Sequence, residues 1–410
     1  MSEEEAFQFA RQMMARGEYT AAHQILHQLK NKSVDQIQVQ FLLGQIAGLQ
    51  KAWKESIFIY RDILASRPDI VRVRLELARA FFEVHDDNNA KYHFSRVLAE
   101  KELPKTVQVN IKRFLSTIHS RKNWALNFSL AAKPDNNVNT ATGQQTVNLF
   151  GLPFKLSDDA RKSSGLGLNA ILNGAYFLKL DDNIKLEIGG GISHTEYLNG
   201  AAFDDTFVNG QIGPMFSFGT TDIRAVAIAG YRRFGGRGLF SNYGGQLSMN
   251  SRISNQLYFG GVLDIQYLDY LTDDSRDGPV ISLVVQTNYL VSQIRLVRFL
   301  AGITRESTKA DTLKNWRYRL GLGYRQQMPF GITLDASSEY SWRPFDEPNA
   351  IFGWERKDNS LSAGITLTKR DLTFFGFVPV IGYNYYKNNS SLSFFEFTRH
   401  SGQIGLTKIF

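Results

Sequence analysis

The sequence predicts two architectures in one chain: an α-solenoid of tetratricopeptide-like helical repeats over residues 1–122, then a 14-stranded antiparallel transmembrane β-barrel over residues 123–410. Three observations predict it. The first part repeats at an interval of 34 residues, the tetratricopeptide period. From Trp124 onward, short segments alternate apolar with polar residues and are joined by tight turns and longer loops in alternation, as a transmembrane barrel requires. The last such segment sets Gly402, Ile404 and Leu406 against Ser401, Gln403, Gly405 and Thr407 and closes on Phe410.

In the repeats, the 34-residue offset aligns Phe9-Ala10, Leu43-Gly44 and Leu77-Ala78 in the first helices. It aligns Ala22, Ser56 and Ala90, and again Leu26, Tyr60 and Phe94, in the second. Small residues suit the places where two helices approach closely, and large ones fill the space between repeats. Gly17-x-Tyr19 and Lys51-x-Trp53 occupy the turns, and Pro68 stops the second repeat, since proline cannot continue a helix. Thr106 to Lys122 reads as a capping helix. The concave face of such a stack would present Phe7, Arg11, Phe41, Gln45, Arg72, Arg79 and Phe82 to a bound protein segment. The competing reading packs the Phe residues between repeats and leaves the Arg residues as a solvated face.

Fourteen strands are expected near 124–133, 165–179, 183–197, 205–218, 222–235, 240–253, 256–270, 280–291, 293–305, 315–328, 331–345, 355–369, 372–387 and 398–410. The second carries Leu166, Leu168, Ala170, Leu172, Tyr176 and Leu178 on one face, and the seventh carries Leu257, Phe259, Leu263, Ile265 and Tyr267. These faces would meet lipid, because successive side chains on a strand point to opposite sides. Turns after even-numbered strands are tight, for example Leu180 to Asn183, Gly219 to Asp222, Ser254-Asn255, Met328-Pro329-Phe330 and Lys369-Arg370-Asp371. Connections after odd-numbered strands are mostly longer, and Lys133 to Ser164 is the longest at 32 residues. With an even count, the helices and Phe410 fall on the tight-turn side, which in such barrels is the periplasm.

Composition agrees with a barrel. The chain has 34 Gly, 30 Phe, 17 Tyr and no Cys. Glycine relieves crowding in curved sheets, and aromatic rings favour the membrane–water boundary. Without cysteine there is no disulfide, thiolate metal site or cysteine nucleophile. No run approaches the roughly 18 apolar residues that a spanning helix needs. Net charge is +8, divided as +5 before residue 124 and +3 after it, with the charges interspersed. That disfavours nucleic acid and suits outer-membrane lipid headgroups or acidic partners. Met1-Ser2-Glu3-Glu4-Glu5 lacks the features of a signal peptide, so the expected form is a trimmed, exported one.

In the lumen, Arg317, Arg319 and Arg325 alternate with outward Trp316, Tyr318, Leu320, Leu322 and Tyr324, and Asp335 and Glu339 lie on the next strand. Cross-strand ion pairing is favoured over a charged conduit or gate wall. For enzymatic chemistry, His194 lies near Ser193 and Glu196, but neighbouring strand residues point to opposite faces and form no nucleophile–base unit. No phosphate-binding loop or metal-spaced cluster is evident, so the expectation is a non-enzyme without cofactor or metal.

The first strand runs from Trp124 to Lys133 and continues as Pro134-Asp135-Asn136-Asn137-Val138-Asn139-Thr140-Ala141-Thr142. This Asn-rich segment, together with a helical-repeat module fused to a 14-stranded barrel, resembles the surface lipoprotein assembly modulator (Slam) family tied to type eleven secretion. The resemblance covers Phe7 to Lys122 and Trp124 to Phe410. Two departures from its pattern are Lys408, where many outer-membrane strands carry an aromatic, and a short repeat domain. The resemblance implies an outer-membrane translocon that delivers client lipoproteins or secreted haemophore-like proteins. The barrel assembly machinery is then a partner reading Phe410, and a periplasmic chaperone is a further candidate. Asp135, Asn136, Asn137 and Asn139 would belong to a plug or gate, with an ordinary ordered loop as the alternative. Rival functions are a small-solute porin, which has no evident need of a protein-binding module, and an exopolysaccharide exporter, which should carry a lumen of strongly biased charge.

Overall fold

A computed structural model of the chain describes residues 2–29, 35–100, 102–121, 123–149, 152–198, 200–349, 351–370 and 372–409. Among the described residues seven helices come first: α1 Glu3–Ala15, α2 Tyr19–Leu29, α3 Gln36–Leu49, α4 Trp53–Ser66, α5 Val71–Glu83, α6 Asp87–Leu98 and α7 Lys105–Arg121. They pack as sequential antiparallel neighbours around two cores. One joins Phe7, Ala10, Leu26 and Leu42, and the other joins Tyr60, Leu77, Phe94 and Ile111. Where the repeat pattern places a small residue, the helices meet closely: a methyl on Gly44 would lie 2.5 Å from the Tyr60 ring, and the buried Ser56 hydroxyl donates to Gly44 O at 3.0 Å. Ser2 and Glu5 close a reciprocal cap on α1, satisfying backbone N–H groups that a helix start leaves unpaired.

The strands are β1 Trp124–Asp135, β2 Thr146–Leu149, β3 Leu152–Lys155, β4 Gly165–Asp181, β5 Ile184–Tyr197, β6 Asp205–Phe218, β7 Thr221–Phe234 and β8 Arg237–Arg252. They continue as β9 Leu257–Tyr270, β10 Gly278–Ser292, β11 Arg295–Glu306, β12 Asn315–Gln327, β13 Ile332–Pro348, β14 Glu355–Lys369, β15 Val378–Ser390 and β16 Phe397–Ile409. β2 and β3 form a separate hairpin, and the other fourteen close an antiparallel barrel in which each strand pairs with its sequence neighbours and β16 returns to β1. Closure leaves no unpaired edge in the hydrocarbon. Leu168, Leu172, Tyr176 and Leu178 on β4, and Leu320 and Leu322 on β12, are exposed on the outer face, the lipid belt that alternation predicts. Near one end of that belt the Trp316, Tyr318 and Trp342 rings stack in series, as expected of an interfacial girdle. The family of elements and its length make this a transmembrane barrel of the outer-membrane type.

One turn differs from expectation. Lys369-Arg370-Asp371 is not a tight turn leading into a strand at 372, because β15 begins only at Val378. Phe374 and Phe377 bond each other's backbones, Phe375 has φ 51 and Gly376 φ +80, so the chain folds into a small knuckle first. Apolar alternation cannot separate such a knuckle from a strand. Lys408 is explained by it: its ammonium donates to Phe375 O at 2.9 Å and lies over the Phe377 ring. Asp371, Lys122 and the terminal Phe410 fall outside the described residues.

Candidate functional site

The helices sit on the tight-turn end of the barrel and touch every turn there. Lys185 at the start of β5 donates to His119 O at 2.8 Å, and His119 meets Ser217 beside the β6–β7 turn at 3.1 Å. At the β8–β9 turn, Asn255 donates to Gln108 at 3.1 Å and Gln256 to Ala99 O at 3.0 Å. At the β10–β11 turn, Gln293 accepts from Arg74 at 2.9 Å and donates to Asp69 O. At the β12–β13 turn, Gln327 accepts from Arg74 at 2.7 Å and donates to the Tyr92 hydroxyl, while Phe330 N donates to Ala65 O. At the β14–β15 turn, the Arg370 guanidinium covers the Tyr92 ring at 4.3 Å. Contacts all around the rim mean that the helical module lies across the mouth.

The hub of this junction is polar. Arg74 is 1% exposed and holds both turn glutamines. Burial lowers its pKa to about 10, which leaves it charged at neutral pH. Burial raises the Tyr92 phenol, but the charges of Arg370, Arg96, Arg74 and Arg325 together outweigh it and bring it down to about 8. Burial, and then Arg74 and its neighbours, hold His93 well below the ordinary histidine range. Sequence reasoning passes over this hub because its members lie far apart in the chain. The one early signal is an arginine, Arg74, on the apolar side of an amphipathic helix.

The second feature is the seam between β1 and β16. Asn127–Ala132 pair with Ile404–Ile409, and after that only Asp135 pairs with Ser401. On its other edge β1 pairs without a gap from Trp124 to Asp135. Among the described residues this ladder has fewer paired positions than any other in the barrel. Pro134, which has no N–H to give, sits at the interruption. Beyond the gap the Asn-rich segment fastens the seam. Asp135, 6% exposed, accepts from Arg399 at 2.7 Å. Asn136 N donates to His400 O at 3.1 Å, His400 N donates back to Asn136 Oδ1 at 2.8 Å, and Asn137 Nδ2 donates to Thr398 O at 3.2 Å. Asn139 ties the two ends of the long connection, donating to Arg161 O at 2.7 Å and accepting from Ser163 N at 2.9 Å. Of the four residues singled out in sequence, Asp135, Asn136 and Asn137 clasp β16 at the long-loop end, and Asn139 ties the long connection to itself.

In the lumen, Arg325 donates to Asp335 at 2.7 Å, and Glu306 accepts from Arg317 at 3.4 Å and from Arg343 at 2.7 Å. Glu339 stands opposite Gly321, away from Arg319, and Arg319 Nε is buried over Gly302 without a partner. A second network joins Glu187 on β5 to Arg224 on β7 at 2.5 Å and, through Gln246, to Asp264 on β9. Glu187 faces Gly213 on β6, where a side chain would meet the β7 backbone at Ala225 O. Pairs two strands apart depend on registers that sequence does not reveal.

The residues expected to line a concave groove differ in exposure. Phe7 is buried in the first helical core. Arg11 and Arg79 are exposed, and Gln45 is half-buried. Phe41 and Arg72 do meet, the guanidinium 5.8 Å from the ring centre. Phe82 is covered by α7, with Phe114 at 4.8 Å edge-on and Arg121 at 4.2 Å. His194 hydrogen-bonds Thr206 at 2.8 Å. Among the described residues no group of three or more His, Asp or Glu side chains is placed to hold a metal ion.

Residues 124–410 match the family model described as surface lipoprotein assembly modifier. A surface lipoprotein assembly modifier of Pasteurella multocida (strain Pm70) is 22% identical, the match covering 92% of this chain and 78% of that protein. The surface lipoprotein assembly modifier 1 of Neisseria meningitidis serogroup B is also 22% identical, over 93% of this chain and 78% of the relative. The hemophilin secretion modulator of Acinetobacter baumannii is 22% identical over 92% and 79% respectively. With its whole barrel matched, the chain belongs to the surface lipoprotein assembly modifier family.

Proposed function

We propose that this protein is an outer-membrane translocon that delivers specific client proteins, surface lipoproteins or secreted haemophore-like proteins, to the cell exterior. The relatives' names, for surface lipoprotein assembly and for hemophilin secretion, support this reading. The observation that carries it is the helical module lying across the barrel mouth, bonded to turns all around the rim. A module so placed meets whatever enters from that side, whereas a solute pore gains nothing from it. Tight turns mark the periplasmic end of such barrels, so the helices are periplasmic and engage the client or a chaperone that carries it. The barrel assembly machinery inserts the strands. The short β1–β16 ladder is the place where the wall opens for a client too bulky for a lumen whose wall is lined by ion pairs.

The test is co-expression with a client encoded beside the gene, followed by surface labelling. Full-length protein should display the client, and removal of residues 2–121 should abolish display while the barrel still assembles. Equal display without the helices would defeat the role given to them, and equal display without the protein would defeat the function.

A further inference from the structure

The helical module carries a cleft that lies apart from the expected concave face. It has a volume of about 280 Å³ and is lined by α2, α3 and α4. Its floor is apolar: Leu43, Ile46, Ala47 and Ile59, with the Phe58 ring at the edge, 74% exposed. A large ring left this bare offers apolar surface that a bound side chain can cover. Two carboxylates, Glu55 and Asp62, stand on the rim, and among the described residues no Lys or Arg lines the cleft. His23 and His27 stack at 6.0 Å along one wall, and Gln40 donates to Asp62 at 3.1 Å. An acidic, apolar cleft is conspicuous in a module whose net charge is +5.

We infer that this cleft binds an extended, unfolded segment in which an apolar side chain is flanked by Lys or Arg. The charge complementarity and the apolar floor select that chemistry together, because a purely apolar segment brings no counter-charge to Glu55 and Asp62 and an acidic one is repelled. The inference rests on the delivery reading above, and it names the part of a client that the helices hold. The room available suits one or two large side chains, so the cleft grips a short stretch and releases it readily.

The experiment uses full-length protein in non-ionic detergent and fluorescein-labelled peptides containing Phe flanked by Lys, or the same peptides with Glu in place of Lys. Fluorescence anisotropy should show binding of the Lys peptide only. Glu55→Gln combined with Asp62→Asn should weaken it at least tenfold, as should Phe58→Ala, and all three positions lie at the surface where the fold tolerates exchange. Equal binding of both peptides, no binding of either, or unchanged affinity in the variants would overturn the inference. Client display is measured in cells with the same variants. Display by the native protein without peptide binding sinks the cleft and spares the delivery reading, and peptide binding without any display does the reverse.

Discussion

Arg74 joins helices to barrel by satisfying Gln293 and Gln327 at once, and its neighbours Tyr92 and His93 make that junction sensitive to pH. Tyr92 titrates at about 8 in the folded protein, below the ordinary tyrosine value of 10.0. A group lowered on folding adds stability that is fully present above its unfolded value and is lost as pH falls through the folded one. His93, also lowered, acts in the same direction near pH 6.5, because protonation is favoured when it is released. The helical module should therefore melt at rising temperature as pH goes from about 6 to about 9, and Tyr92→Phe should remove the upper part of that rise. A flat or falling profile would contradict the assignment. At this scale the sequence is legible only where partners are neighbours. Asp335 and Arg325 are readable from adjacent strands, whereas the Arg74–Tyr92 hub and the Glu187–Arg224 pair come from distant segments.

Among the elements, the strands are the most legible, since period-two alternation is enforced by lipid on one side and water on the other. The exception is instructive. The segment 372–377 alternates as a strand does and folds as a knuckle, and Lys408 on the neighbouring strand holds it. The Asn-rich continuation of β1 is readable as unusual, yet its role as a clasp depends on β16 arriving beside it from the far end of the chain. Asp135→Ala would leave the Arg399 charge without its partner in a half-buried site. We expect a loss below the ~3–5 kcal/mol of fully buried pairs, because the Arg399 side chain is about a third exposed. Hydrogen exchange should then quicken across residues 127–132 and stay unchanged in strands opposite the seam. Equal protection throughout would remove the clasp assignment.

For the whole molecule, the proposed delivery reading joins the helices across one mouth and the β1–β16 seam into a single path: capture by the module, entry at the rim, exit at the seam. The two-part architecture is legible in the sequence, because the repeat interval and the alternation of turn lengths are each enforced over the full length of their part. How the parts dock is not, because it rests on single glutamines and arginines in turns. The central claim is that clients leave through the β1–β16 seam. Because the chain has no cysteine, the seam can be locked cleanly by Ser129→Cys with Thr407→Cys, which face each other across it. Surface labelling of a client should show no display while this pair is oxidised and full display after reduction; full display through an oxidised seam would contradict the account.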